Sequence, residues 1–160
     1  MTTTHHPVQT AIVTGGARGL GLGIARRLAS EGRKIILWDL DFENFTTSQA
    51  GFEPLLMQQV NVADLPSVGK AFDEALLAAG RVDILINNAG INGPIAPTWE
   101  YPVDQWQRVL DIDLTGVFNC MVHQLRAMKA KGGSIINTAS IMGLQGTPGA
   151  AAYSASKHGV

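Results

Sequence analysis

The chain has 160 residues, 46% of them hydrophobic and 16% charged, with a formal net charge of -1 and a pI near 6.4. This composition suits one globular domain over residues 1–160, and its near-neutral balance offers no footprint for nucleic acid or an anionic membrane. The longest apolar-leaning stretches, around Ile12 and Ile84, are interrupted by Gly, Asp or Asn well before the roughly 18 residues of a membrane span.

The first seven residues are polar and carry no apolar segment, so no secretory leader is expected. His5 and His6 have no third ligand beside them and read as a frayed terminus, with no metal expected. Cys120 is the single cysteine. No intrachain disulfide can form, which fits a reducing cytoplasm, and its helical surroundings make it a small packing residue.

In chain order, Thr10–Thr14 reads as a first strand and Gly19–Ser30 as a helix. Strands over Lys34–Trp38 and Leu55–Val60 follow, then a helix over Asp64–Ala79 with Asp64 as N-cap and Gly80 as stop. Val82–Asn87 is the fourth strand, and Val103–Lys131 a long helix closed by Gly132-Gly133 after three basic residues. A fifth strand spans Ser134–Thr138, and a last helix starts near Tyr153. The runs are short and apolar on both faces, as buried parallel strands are. The alternation predicts an α/β fold: a doubly wound, Rossmann-type parallel sheet with helices on both faces and strand order 3-2-1-4-5. Val160 falls one short turn into the last helix, which leaves that helix unable to bury its apolar face; a further C-terminal part is expected.

The first strand runs into Thr14-Gly15-Gly16-Ala17-Arg18-Gly19-Leu20-Gly21. Glycines let a backbone approach a ligand where Cβ would collide, and a helix N-terminus offers N–H groups and positive dipole to a pyrophosphate. A Gly-rich stretch alone serves equally as a packing turn. Following a strand and opening a helix, this one meets the context a nucleotide-binding turn requires. About 20 residues on, Asp39 can accept hydrogen bonds from adenosine ribose hydroxyls and repel a 2′-phosphate, which favours NAD; a solvated turn residue is the plain alternative. Arg18 points the other way and keeps NADP possible.

Tyr153 and Lys157 stand four apart at a helix start and share one face. A phenol near pKa 10 is a poor acid/base at neutral pH, and a neighbouring ammonium stabilises its phenolate. Ser140 lies just beyond the fifth strand, at the sheet edge where doubly wound folds bind ligands. A surface pair of no function is the alternative for any YxxxK.

The Gly-rich turn, Asn87-Asn88-Ala89-Gly90 after the fourth strand, Ser140, and Tyr153-Ser154-Ala155-Ser156-Lys157 together resemble the short-chain dehydrogenase/reductase family from Gln9 to Val160. The resemblance implies that Gly15, Arg18, Gly19, Leu20 and Gly21 bind the cofactor phosphates and Asp39 the adenosine ribose. Asn61 and Val62 would border the adenine, with Asn61 where many relatives carry Asp. Asn88, Ala89 and Gly90 would line the nicotinamide side, although an Asn-rich turn also braces a sheet by itself. Tyr153 is implied as general acid/base, Ser140 as the donor that orients the substrate oxygen, and Lys157 as holder of the nicotinamide ribose. The cofactor carries the hydride chemistry.

One residue departs from the family. In Trp106-Gln107-Arg108-Val109-Leu110-Asp111-Ile112-Asp113-Leu114-Thr115-Gly116, Asp113 stands where the family has asparagine. It keeps the backbone carbonyl used in the proton relay, but a second acid near the tyrosine would raise the phenol pKa and shift the rate profile to alkaline pH. The resemblance implies reversible oxidation of a small secondary alcohol to a ketone, on a sugar, sugar acid, polyol or 3-oxoacyl-type substrate. It also implies a homodimer or homotetramer through the Val103–Lys131 helix. The loop Ile91–Tyr101, with Trp99 and Tyr101, is expected beside the cleft. The competing class is a non-catalytic nucleotide-binding fragment or scaffold protein.

Overall fold

In the computed structural model, which describes residues 8–160, β1 (Thr10–Thr14) is buried at every position. It lies between two parallel neighbours, β2 (Lys34–Asp39) and β4 (Ile84–Asn87), with Ile12 opposite both Ile36 and Leu85. β3 (Leu56–Gln59) extends the sheet beyond β2, and β5 (Ser134–Asn137) beyond β4. The order is β3-β2-β1-β4-β5, as the alternation predicts. His5 and His6 lie outside the described residues.

Side-chain alternation divides the core into two layers. Ala11, Val13, Ile35, Leu37, Ile84 and Ile86 meet Ala25 and the partly buried Ile24 and Leu28 of α1 (Gly19–Ser30). On the opposite face Ile12, Ile36, Trp38 and Leu85 pack against Val68, Phe72 and Ala75 of α3 (Leu65–Ala79) and Cys120 of α5 (Gly116–Met128). Each such Ile or Leu contributes about 1.5–3 kcal/mol by leaving water. A short α2 (Thr47–Ala50), capped by Thr46 Oγ1 accepting the Gln49 N–H at 3.3 Å, has no counterpart in the sequence reading.

Two expectations change. The outer strands β3 and β5 are not covered on both faces: Met57 is 39% and Ile136 47% exposed, because the helices described here centre on β1, β2 and β4. The long helix is also not uniform. α4 (Val103–Leu110) passes through a π turn at Asp111–Thr115 into α5, which ends at Met128 rather than Lys131. A π turn adds a residue to one coil, and apolar periodicity does not register it. α3 occupies the expected span and stops at Gly80, whose N–H donates to the Leu76 carbonyl at 2.8 Å. Asp64 takes the N-cap position, though its side chain makes no capping bond.

Candidate active site

β1 delivers Thr14 to the carboxyl edge of the sheet, where its hydroxyl joins two strands. Thr14 Oγ1 accepts the Asn88 and Ala89 N–H groups, each at 3.0 Å, and donates to the Ile86 carbonyl at 3.3 Å. Asn88 Nδ2 returns two bonds, to the Thr14 carbonyl at 3.0 Å and the Gly15 carbonyl at 3.3 Å. The first coil of α1 closes onto this turn, so that a Cβ on Gly21 would run into the Gly15 carbonyl. Arg18, the N-cap of α1, makes no side-chain bond to it, and the N–H groups that open a helix have no partner within it. That end of α1 carries the open N–H groups and positive dipole that favour an anion.

From here a groove of about 220 Å³ runs along the carboxyl edge of the sheet over the ends of β3, β2, β1 and β4, crossing the β1–β4 junction where the strand order reverses. Gly15, Arg18, Asp39, Asn61, Val62, Asn88, Ala89 and Gly90 line it, joined by Trp38, Leu40, Val60, Ile91 and Ile112. Gly19, Leu20 and Gly21 lie off that lining: Leu20 is exposed and Gly21 is buried in the turn. Asp39 is tied down, its Oδ2 accepting the Ala17 N–H at 3.0 Å and its Oδ1 the Leu40 N–H at 2.8 Å. Asn61 Oδ1 accepts the Ala63 N–H at 3.1 Å, and Asn119 Nδ2 of α5 donates to the Val62 carbonyl at 3.0 Å.

Beside the groove, α6 (Ala151–Gly159), the π turn and the segment after β5 meet; Asp113, Ser140, Tyr153 and Lys157 are not among its lining residues, and Asp113 adjoins it through Gly90 and Ile91. Lys157 Nζ donates to the Thr138 carbonyl at 3.0 Å, stands 3.5 Å from Asp113 Oδ2, and lies 5.6 Å from the Tyr153 ring centroid. Asp113 is fully buried. Its Oδ1 accepts the Ile91 N–H at 2.8 Å, while Oδ2 has no hydrogen-bond partner among the described residues. Burial pushes the Asp113 carboxyl above its ordinary range, outweighing the Ile91 N–H and the Lys157 ammonium, which pull it down. Gly90 permits this approach, because a Cβ there would lie 2.9 Å from Asp113 Oδ2. Ser140 Oγ accepts the Met142 N–H at 3.2 Å, capping a 3-10 turn over Ile141–Gly143 that packs on α6. Its own O–H remains available as a donor.

A family model for short chain dehydrogenase matches residues 9–160. The chain belongs to the short chain dehydrogenase family. It is 46% identical over 151 residues to 2-dehydro-3-deoxy-L-rhamnonate dehydrogenase (NAD(+)) of Sphingomonas sp. (strain SKA58), covering 94% of this chain and 61% of that protein. It superposes on NAD+-bound xylitol dehydrogenase with a TM-score of 0.88 at 36% identity, over 94% of this chain and 60% of that one. An F189W actinorhodin polyketide ketoreductase with NADPH gives 0.88 at 38% identity, over 95% and 60%. This short chain dehydrogenase sequence therefore spans about six-tenths of the length of these relatives.

Three groups in this family member escaped the sequence reading. Thr14 carried a signal, as a hydroxyl ending an otherwise apolar strand just before the glycines. The Thr138 carbonyl and the Ile91 N–H carried none, because backbone atoms act there and any side chain would do. Among the described residues no helix is long and apolar enough to cross a membrane, and no three His, Cys, Asp or Glu converge as a metal site.

Proposed function

We propose that the protein interconverts a small secondary alcohol and its ketone by hydride transfer with a nicotinamide cofactor, preferring NAD to NADP. The observation that carries this reading is Lys157 Nζ beside the Tyr153 ring, on one coil of α6, with Lys157 joined through Asp113 to Gly90 and Ile91 of the groove. The groove's residues fit such a cofactor: Gly15 and Arg18 at the open N-terminus of α1 and the fixed Asp39 carboxylate line it together, and Gly21, by lacking a Cβ, lets the first coil of α1 close on the Gly15 carbonyl behind them.

Gly15, Arg18, Gly19, Leu20 and Gly21 would hold the phosphates, Asp39 the adenosine ribose, and Asn61 and Val62 the adenine border. Asn88, Ala89 and Gly90 would flank the nicotinamide, which when bound supplies the hydride donor or acceptor. Tyr153 gives its hydroxyl proton to the ketone oxygen in reduction and takes the alcohol proton in oxidation. Lys157 favours the phenolate by its charge and would hold the nicotinamide ribose. Ser140 would donate to the substrate oxygen and fix its position. Asp113 balances the Lys157 charge from the buried side.

The relatives' names, a sugar-acid dehydrogenase and a xylitol dehydrogenase, support a sugar, sugar-acid or polyol substrate, with a 3-oxoacyl-type ketone the next class to test. Exposed Phe118 and Leu125, one above the other on α5, support a homodimer or homotetramer, and the composition supports one cytoplasmic domain. The second reading, a non-catalytic nucleotide-binding or scaffold protein, draws on the contact of Asp113 with Lys157, which engages the lysine without substrate.

An NAD-reduction screen over sugars, sugar acids and polyols, run beside Tyr153→Phe, separates the two. Turnover that falls by about 10²–10⁴-fold in the variant with NAD binding retained supports the enzyme. NAD binding with no turnover on any substrate supports the scaffold, and turnover that survives in Tyr153→Phe removes the tyrosine from its role.

A further inference from the structure

We infer that Asp41, acting through Arg18, sets how strongly the groove rejects a 2′-phosphate on the adenosine ribose; this rests on the NAD reading above. Among the residues lining the groove Arg18 is the single basic side chain. Its guanidinium spans two carboxylates, with Nη2 3.8 Å from Asp39 Oδ1 and Nη1 3.8 Å from Asp41 Oδ2.

The two acids differ in what else they do. Asp39 is buried and bonded to the Ala17 and Leu40 N–H groups, so its carboxylate holds the Gly-rich turn to the end of β2. Asp41 does not line the groove, is part-exposed, and offers only Oδ1 to the backbone, accepting the Glu43 N–H at 2.7 Å. Its Oδ2 faces Arg18. A 2′-phosphate would bring close to two negative charges near pH 7. It would meet two carboxylates and one guanidinium, a net charge of -1 from Asp39, Asp41 and Arg18. Neutralising Asp41 brings that sum to zero and leaves Arg18, a side chain 69% exposed and free to turn, with one anion fewer to hold it. A guanidinium so released is suited to bidentate phosphate contact.

The test is a calorimetric titration of the full chain with NAD and with NADP, in the unmodified protein and in Asp41→Asn, which keeps an oxygen for the Glu43 N–H. NADP affinity is expected to rise about five- to tenfold with NAD affinity within about twofold, as one partly screened charge contact dictates. The gain should shrink in about 0.5 M salt. It should vanish when Arg18→Gln is added, since the effect runs through the guanidinium. A ratio that Asp41→Asn leaves unchanged, or a gain that persists with Arg18→Gln, overturns the inference. Tighter binding of NADP by the unmodified chain overturns the NAD reading itself, a result distinguishable from either.

Discussion

At the Gly-rich end of the groove nearly every contact runs between backbone atoms and short side chains: Thr14 with Asn88 and Ala89, Asp39 with Ala17, Gly21 against the Gly15 carbonyl. Around α6, beside the groove, the contacts join two charged groups and a carbonyl drawn from distant segments: Asp113 from the π turn, Lys157 from α6 and the Thr138 carbonyl after β5. The first arrangement tolerates no added atom, because its spacing is set by chain geometry. The second is governed by charge and burial, because it is a buried pair whose carboxyl Oδ2 lacks a hydrogen bond. The proposed cofactor seat and the proposed proton-moving centre ask for these two kinds of rigidity.

The contrast is most exposed to Gly21→Ala. The added methyl meets the Gly15 carbonyl and should cost about 3 kcal/mol of stability, with NAD affinity lowered at least about tenfold. An unchanged thermal midpoint and NAD titration would show that the turn yields to side chains after all. Thr14→Val should cost about 1–3 kcal/mol, since the Asn88 and Ala89 N–H groups lose their shared acceptor in a part-buried site. Denaturant titration measures this, and a loss below a few tenths would mean that water replaces the hydroxyl.

Asp113→Asn probes the other end through pH. The native state holds the Asp113 proton more tightly than the unfolded chain, whose carboxyl has the ordinary value of 3.8. That contribution to stability is full below the ordinary value and is lost as pH rises through the raised one. The Asn variant does not titrate, so its thermal midpoint should gain on the wild type from acid toward neutral pH; a constant gap would contradict the burial effect. In turnover, removing the ionised carboxylate should move the rate profile toward lower pH, and a curve unmoved by the substitution leaves Asp113 without influence on Tyr153. The smallest effect belongs to Asn61→Asp, which installs the residue that the family resemblance leads one to expect there. Either side chain can accept the Ala63 N–H, so NAD affinity should stay within about twofold by titration. A larger change would mean that the amide itself meets the adenine.

The five strands, their order and the Gly-rich turn were legible because each follows from local pattern: apolar runs, helix stops such as Gly80, and glycines placed between a strand and a helix. Tyr153 and Lys157 were legible too, as one helical face. The π turn was not, because its widened coil is stabilised by what Asp113 and Gly116 pack against, Ile91 and Val62, both remote in sequence. Nor was the division of labour between Asp39 and Asp41, two acids two residues apart that differ in burial and in which backbone N–H groups surround them.

Sequence by itself determined the layers, the strand order and which residue types reach the sheet's carboxyl edge, since hydrophobic period and chain stereochemistry act locally. Only the tertiary structure decided which charge faces which: Asp113 toward Lys157, and Arg18 between two carboxylates. Those pairings depend on distances of a few ångströms between segments far apart in the chain, and Coulomb interactions and desolvation change steeply over that range.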